Sequence, residues 1–164
     1  MNPLLNKAAA YCAAAEHCRS EVQTKLLQWG ASANQTSDIL DQLEDQGFLS
    51  ETRYCSAFVN DKIRFQGWGK EKIRMALKQK RLPNSLIEEA IDAFPQEEYE
   101  EQMHSIIARK AATLSDTDPY LRQAKLARFL ASRGFSYSDA ADAIMEDIRS
   151  IERDTDGLLD EIMK

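Results

Sequence analysis

Apolar residues recur along this chain at intervals of three and four, which is the spacing of one face of an α-helix. The clearest examples are pairs four residues apart: Val22/Leu26, Ile39/Leu43, Ile73/Leu77, Ile87/Ile91, Leu126/Leu130 and Ala140/Ile144. No stretch alternates apolar and polar residues convincingly, so no β-strand is predicted. The pattern therefore predicts an all-α protein.

Helix-capping residues and helix breakers divide this pattern into nine predicted helices. Ser20, Thr36, Ser50, Ser85, Asp118 and Ser136 are placed to begin helices, whereas Gly30, Gly47, Gly67, Gly134 and the prolines are placed to end them. After an Ala-rich first helix, the predicted helices cover 21–29, 37–46, 51–65, 70–80, 86–94, 96–114, 120–133 and 137–151.

The helices fall into three similar sets of three. The apolar pair on the second helix returns after 51 and then 53 residues, from Val22 to Ile73 to Leu126. Such spacing predicts tandem repeats, each with a small core that depends on its neighbours. We predict three three-helix repeats at 1–50, 51–95 and 96–164, the last with a C-terminal tail whose conformation is left open.

Charge is spread unevenly over these repeats. The 164 residues carry a formal net charge of -6, with 21 basic and 27 acidic side chains. The first and third repeats have an acidic balance, whereas the central repeat is basic. This layout bears on binding partners rather than on the fold.

The strongest concentration of positive charge is the predicted helix 70–80. Lys70, Arg74 and Lys78 on that helix, with Arg81 directly after it, are spaced to form one stripe at helical periodicity, with Ile73 on the core side. A basic stripe suits phosphates or an acidic protein surface. Ordinary solvated lysines and arginines explain the same pattern, and both interpretations stay open.

Three further residues join this candidate surface. Arg64 and Lys72 add positive charge close to the stripe in sequence. Trp68 lies between Gly67 and Gly69, which allow a sharp reversal and a close approach of backbones. We interpret Trp68 as either an exposed contact or a lid over the core of its repeat.

The sequence lacks residues that the motifs of common enzyme and metal sites require. The segment GWGKE echoes a phosphate-binding loop, but that motif requires Gly at Arg64 and Ser or Thr at Glu71. His17 with Cys12 and Cys18 matches no common zinc spacing. We therefore predict no catalytic residue, no metal site and no cofactor.

Features of the sequence also bear on location. No apolar run approaches the roughly 18 residues of a membrane helix, and the Ala-rich start lacks the basic cluster of a signal peptide. The three cysteines are an odd number without metal spacing, as expected of free thiols in a reducing compartment. A cytoplasmic protein without membrane contact is the expectation.

Three motifs of the central repeat occur in the order and spacing of a known family. GFLSETRYCSAFV, residues 47–59, is similar to a family run of Gly, aromatic, Leu and acidic residues followed by Arg and an aromatic. Gly67-Trp68-Gly69 lies where the family has Gly-aromatic-Gly, and IRMAL, residues 73–77, fits the Ile-Arg-x-x-Leu that follows. Through these motifs the central repeat resembles the RecX family, which regulates the RecA recombinase.

Other parts of the chain extend the resemblance. EHCRSEVQTKL, residues 16–26, resembles a repeated family pattern, and the third repeat matches in helix layout and in LARFLASRGFSYSDAADAI. Arg81 departs from the family, which usually has glycine after the lysine at the end of this helix. Cys18 stands where serine is common.

The resemblance implies an elongated, curved array of three tandem three-helix repeats. Such a protein, expected to be monomeric, would lie in the groove of the RecA filament on DNA. It would inhibit strand exchange and ATP hydrolysis without being an enzyme, with a role in DNA repair, recombination and the SOS response. The implied contacts, to RecA and to DNA phosphates within the filament, are Arg64, Lys70, Lys72, Arg74, Lys78 and Arg81.

Two other functions remain open at this point. A stand-alone nucleic-acid-binding helical module would also use a basic stripe, and it would retard bare DNA with a steep salt dependence. A generic helical adaptor would keep its binding when the stripe is reversed to Glu.

Overall fold

Helices make up all the regular secondary structure of the described chain. The computed structural model describes the backbone of residues 2–163, without side chains at 155, 158–160 and 163. Within that range the helices are α1 (Pro3–Ala14), α2 (Arg19–Gln28), α3 (Ala33–Asp45), α4 (Glu51–Arg64), α5 (Lys70–Gln79), α6 (Asn84–Ala93), α7 (Gln96–Ala111), α8 (Pro119–Ser132) and α9 (Tyr137–Met163). The prediction of an all-α fold with nine helices and no strand is confirmed for the described residues.

Two predicted helix starts rest on the caps that the sequence indicates. At α4 the Ser50 hydroxyl accepts a hydrogen bond from the Arg53 N–H at 3.2 Å. At α8 the Asp118 carboxylate accepts from the Tyr120 N–H at 2.8 Å, and Pro119 occupies the first turn. Both caps satisfy N–H groups that have no partner inside the helix.

The predicted start of α2 is wrong by two residues. The helix begins at Arg19, and Cys18 rather than Ser20 is its N-cap. The Glu21 carboxylate accepts a hydrogen bond from the Cys18 N–H at 3.2 Å, which fixes the earlier start. Ser20 lies inside the helix and donates its hydroxyl hydrogen to the Lys80 carbonyl at 2.7 Å.

The predicted start of α3 is wrong by four residues. Ser32 and Gln35 form a reciprocal capping box: the Gln35 N–H donates to the Ser32 hydroxyl at 3.2 Å, and the Ser32 N–H donates to the Gln35 side chain at 2.9 Å. Thr36, the predicted cap, is instead buried one turn into the helix, and its hydroxyl has no hydrogen-bond partner.

Two later boundaries also differ from the prediction. Helix α6 begins at Asn84 after Pro83 rather than after Ser85, and α7 ends at Ala111 rather than at residue 114. The tail, whose conformation the sequence left open, is helical, since α9 continues to Met163. Gly157 lies inside this helix and does not have the positive φ that glycine adopts where a helix ends.

The chain forms two compact units, each with its own core. Unit 1 contains the residues up to Asp61 together with Arg74–Phe94, and unit 2 contains Lys62–Ile73 together with the residues from Pro95 onward. In unit 1, helices α1, α2 and α3 pack on one another, and in unit 2, helices α7, α8 and α9 do so. The predicted repeat boundaries stay a prediction.

The predicted core positions are buried in both units. All twelve residues of the six apolar pairs have no more than 1% of their surface exposed. Each buried Leu, Ile or Val stabilises the fold by roughly 1.5–3 kcal/mol relative to an exposed one. The periodicity that predicted the helices therefore also identified the residues that hold them together.

A close backbone contact in unit 2 explains why residues 69 and 134 are glycine. The Gly69 N–H donates to the Arg133 carbonyl at 2.7 Å, and the Glu71 N–H donates to the Gly134 carbonyl at 2.9 Å. A methyl group on Gly69 would overlap the backbone of Gly134, and one on Gly134 would overlap Lys72. Glycine at both positions is what lets the start of α5 lie against the turn between α8 and α9.

Candidate functional site

The candidate surface lies mainly on α5, whose residues are divided between the two units. Unit 2 contains Lys70 and Lys72, and unit 1 contains Arg74 and Lys78. Helix formation over Lys70–Gln79 gives the first three stripe residues the predicted four-residue spacing. The surroundings of the candidates in each unit are described separately below.

Arg81 does not continue the stripe as predicted. Helix α5 ends at Gln79, and Arg81 has a left-handed backbone with φ 65°, the one non-glycine residue of the described chain with positive φ. The Leu82 N–H donates to the Leu77 carbonyl at 3.2 Å, so Arg81 occupies the position after a helix end that glycine usually takes. The reversal moves its exposed side chain off the helical face.

In unit 2, Arg64 is held by a carboxylate. Its guanidinium donates two hydrogen bonds to Glu98, at 2.7 and 2.9 Å. These bonds lower the pKa of the Glu98 carboxyl and raise the pKa of Arg64. Because the pair is bidentate, it orients Arg64 toward α7 and offsets its charge.

Lys70 also contacts the start of α7. Its ammonium donates to the Gln96 side chain at 2.8 Å and lies 4.4 Å from the centre of the Tyr99 ring. Its backbone N–H donates to the Tyr99 hydroxyl at 3.1 Å, so the buried Tyr99 satisfies one of the free N–H groups at the start of α5. These neighbours are neutral, and the charge of Lys70 remains.

Trp68 is half-buried between two lysines of unit 2. The ammonium groups of Lys62 and Lys72 lie 4.9 and 4.4 Å from the centre of its ring. A tryptophan face attracts cations at this range, so the ring helps to hold Lys62 and Lys72 side by side. Whether Trp68 contacts a partner or covers a core stays a prediction.

In unit 1, Arg74 is paired and Lys78 is not. Arg74 donates to both carboxylate oxygens of Glu88 on α6, at 2.7 and 3.2 Å. Lys78 and Arg81 are exposed, and no ion pair joins either to an acid in the described part of the chain. They are the two candidates of unit 1 whose charge is directed to solvent without a carboxylate partner.

The cysteine side chains are unsuited to nucleophilic chemistry. Cys12, Cys18 and Cys55 are buried, and burial raises the pKa of each thiol, that of Cys55 to about 11. Thiols with raised pKa stay protonated at neutral pH and are poor nucleophiles.

Among the described residues, no group of three or more His, Cys, Asp or Glu side chains could hold a metal ion. No described helix is both long and apolar enough to cross a membrane.

One cluster of basic and aromatic residues escaped the sequence analysis. A groove in unit 2 is lined by Phe65, Arg109, Lys110, Phe129 and Arg133, among others. The acidic balance of the third repeat concealed it, because charge summed over a repeat says nothing about its distribution in space. Phe129 lies on α8 and Arg133 is the residue that follows this helix, and their four-residue spacing is the signal that could have revealed the cluster.

The fold and the exposed cations define an all-α repeat protein with basic surface positions, and comparison with known proteins identifies the family. Residues 50–91 match the family model for the second three-helix domain of RecX, and residues 97–144 match that for the third. The chain therefore belongs to the RecX family, which confirms the resemblance noted in the sequence.

Individual relatives cover most of the chain. Regulatory protein RecX of Pseudomonas putida (strain GB-1) is 39% identical over 120 residues, which are 73% of this chain and 75% of that protein. Regulatory protein RecX of Leptothrix cholodnii is 32% identical over 153 residues, 93% of this chain and 92% of that protein. These relatives are named as regulatory proteins.

Solved structures share the fold. The crystal structure of RecX from Lactobacillus salivarius has a TM-score of 0.78 and 22% identity, covering 91% of this chain and 94% of that chain. A second crystal structure of a regulatory protein RecX has a TM-score of 0.75, also at 22% identity, covering 85% of this chain and 72% of that chain. At this identity the likeness supports the all-α repeat fold alone.

Proposed function

We propose that this protein is a non-enzymatic, cytoplasmic regulator that binds the RecA–DNA filament as a monomer and inhibits its recombinase and ATPase activities. The observation that carries the proposal is membership of a family whose relatives are named regulatory protein RecX and match most of the chain. Repeats bounded at 1–50, 51–95 and 96–164 are part of the same proposal. A role in DNA repair, recombination and the SOS response follows from the effect on RecA.

Two exposed cations of unit 1 are the proposed primary contacts. Lys78 and Arg81 can meet an anionic surface without first breaking an ion pair in the described chain. Arg64 and Arg74, in contrast, already donate to Glu98 and Glu88, so recruiting them would require exchange of a bidentate partner. In unit 2, Lys70 and Lys72 lie beside neutral groups and are further proposed contacts.

The first test compares the filament with bare DNA. A regulator of the filament binds RecA assembled on single-stranded DNA far more tightly than either the bare strand or free RecA. Fluorescence anisotropy of labelled protein, titrated with each of the three, measures this preference. Equal affinity for bare DNA and filament, with a steep salt dependence, would instead support the stand-alone nucleic-acid-binding module.

The second test reverses the two unpaired charges. The double variant Lys78→Glu/Arg81→Glu is expected to bind the filament at least about tenfold more weakly, since like charges then face the anionic partner. Arg149→Glu/Arg153→Glu is the matched control, because it makes the same change of net charge at exposed positions of α9. Filament binding that survives the first double variant unchanged would support an adaptor that does not use these charges.

A further inference from the structure

Unit 2 contains a groove whose charge is opposite to that of the protein as a whole. The groove has a volume of about 450 Å³ and lies among the end of α4, helix α7 and helix α8. Its described lining includes four cations and no carboxylate: Arg64, Arg109, Lys110 and Arg133. In a chain with a net charge of -6, such a concentration of positive charge indicates an anionic ligand.

Three of these cations are available to a ligand. Arg64 is engaged by Glu98, whereas Arg109 is exposed and makes one long hydrogen bond, 3.5 Å, to the carbonyl of Ser105 on its own helix. No carboxylate lies in the groove lining beside Lys110 and Arg133, and Arg133 makes one long hydrogen bond, 3.4 Å, to the Gln66 carbonyl. Lys110 and Arg133 lie 5.0 and 5.2 Å from the centre of the Phe129 ring, which fixes both cations at the groove without offsetting their charge.

The groove also offers an open aromatic ring. Phe65 is 82% exposed, which is unusual for phenylalanine, and it lies beside the cations in the lining. Phe129 is already covered by the two cations, so Phe65 is the ring that a ligand can stack on. An exposed aromatic beside several unpaired cations matches the two parts of a single nucleotide strand, the base and the phosphate.

We propose that this groove binds single-stranded nucleic acid, with phosphates on Arg109, Lys110 and Arg133 and one base stacked on Phe65. A duplex satisfies the cations but keeps its bases stacked on one another and away from Phe65. An acidic peptide likewise satisfies the cations without requiring a flat ring. The site therefore discriminates between strands and other polyanions through Phe65, and its existence does not depend on the proposed action on RecA.

Binding of a fluorescently labelled oligothymidylate to the full chain, followed by anisotropy at several salt concentrations, tests the proposal without RecA. Phe65→Leu keeps an apolar group but removes the ring, and it is expected to weaken binding roughly tenfold with an unchanged salt slope. Phe65→Trp is expected to restore or strengthen binding. Tyr120→Leu, at another exposed aromatic of unit 2, is the control and should bind as the unmodified protein does.

The charged half of the site is tested through the salt dependence. Arg109→Gln/Lys110→Gln removes two phosphate contacts, and the slope of log affinity against log salt should become shallower by roughly 1.4. Arg149→Gln/Arg153→Gln makes the same change of charge outside the groove and should leave the slope within error. Unchanged helical circular dichroism at 222 nm verifies that each variant is folded.

Three results would overturn the proposal. One is full binding by Phe65→Leu, which removes the role of the ring. Another is equal affinity for the corresponding duplex, and the third is displacement of the oligonucleotide by poly-glutamate as effectively as by unlabelled strand. Each of them would make the groove a general anion site or a peptide site, and none of them bears on inhibition of RecA.

Discussion

At the scale of single residues, the sequence located the buried positions well and the special backbone positions incompletely. Val22, Ile73 and Leu126 were predicted from periodicity alone and are fully buried. Arg81 could be recognised as a departure from the family, but its left-handed backbone depends on how α5 ends against Leu77 and Leu82. Local spacing does not encode that reversal when arginine replaces the usual glycine.

Because Arg81 has a left-handed backbone, two substitutions there can separate the effect of relieved backbone strain on stability from the effect of the lost charge. Arg81→Gly relieves a conformation that costs an L-residue about 1–2 kcal/mol, offset in part by the greater entropy of unfolded glycine. A net gain of about 0.5–1 kcal/mol in the free energy of unfolding is expected from urea denaturation. Arg81→Ala keeps the strain and is the matched control, with equal loss of charge and no gain in stability.

The close approach of Gly69 and Gly134 gives a second prediction at this scale. Gly69→Ala places a methyl group against the Gly134 backbone, which cannot move as a flexible side chain can, and should lower the free energy of unfolding by at least about 2 kcal/mol. Gly157→Ala is the control, because that glycine is helical with open space around it. There alanine should raise stability by up to about 1 kcal/mol, and equal effects at the two sites would contradict the contact.

At the scale of helices, the existence of all nine described elements was predictable, whereas several ends were not. Ser50 and Asp118 are caps that act within four residues, so the local sequence determines them. Helix α2 begins with Cys18 and Glu21 instead of the predicted pair of Ser20 and Gln23. Helix α3 begins with Ser32 and Gln35, whose reciprocal cap satisfies two N–H groups, whereas Thr36 alone would satisfy one. Competing caps a few residues apart are difficult to rank from sequence.

A buried ion pair joins α8 to α9 and was not predicted. Arg122 is 5% exposed and donates to both carboxylate oxygens of Asp147, at 2.7 and 3.2 Å. It also donates hydrogen bonds to the carbonyls of Ala111, Leu114 and Asp116. One side chain therefore holds the segment between α7 and α8 in place. The sequence places Arg122 and Asp147 25 residues apart, too far for a helical spacing rule to connect them.

Loss of Arg122 should destabilise unit 2 strongly. Arg122→Leu leaves Asp147 in a mostly buried position without its partner, and a loss of about 3–5 kcal/mol in the free energy of unfolding is expected from thermal or urea denaturation. The double variant Arg122→Leu/Asp147→Leu should be less affected than Arg122→Leu alone. Arg128→Leu, at an exposed position of α8, is the control and should change stability by no more than about 0.5 kcal/mol.

At the scale of the whole molecule, the repeat and the family could be inferred from sequence, but the three-dimensional distribution of charge could not. The balance of each repeat identified the basic helix α5 and missed the basic groove of unit 2, whose cations come from the end of α4, from α7 and from the residue after α8. It also did not reveal that Arg64 and Arg74 are already paired with acids. Charges have to be placed in space before their availability to a partner can be judged.

The proposed function of this protein is to bind the RecA filament and inhibit it. The most direct test is the rate of ATP hydrolysis by RecA assembled on single-stranded DNA, measured while this protein is titrated to saturation. The account predicts a fall in the rate that saturates, with Lys78→Glu/Arg81→Glu requiring at least about tenfold more protein for the same effect and Arg149→Glu/Arg153→Glu matching the unmodified chain. A rate that stays constant at saturating concentrations of correctly folded protein would contradict the claim.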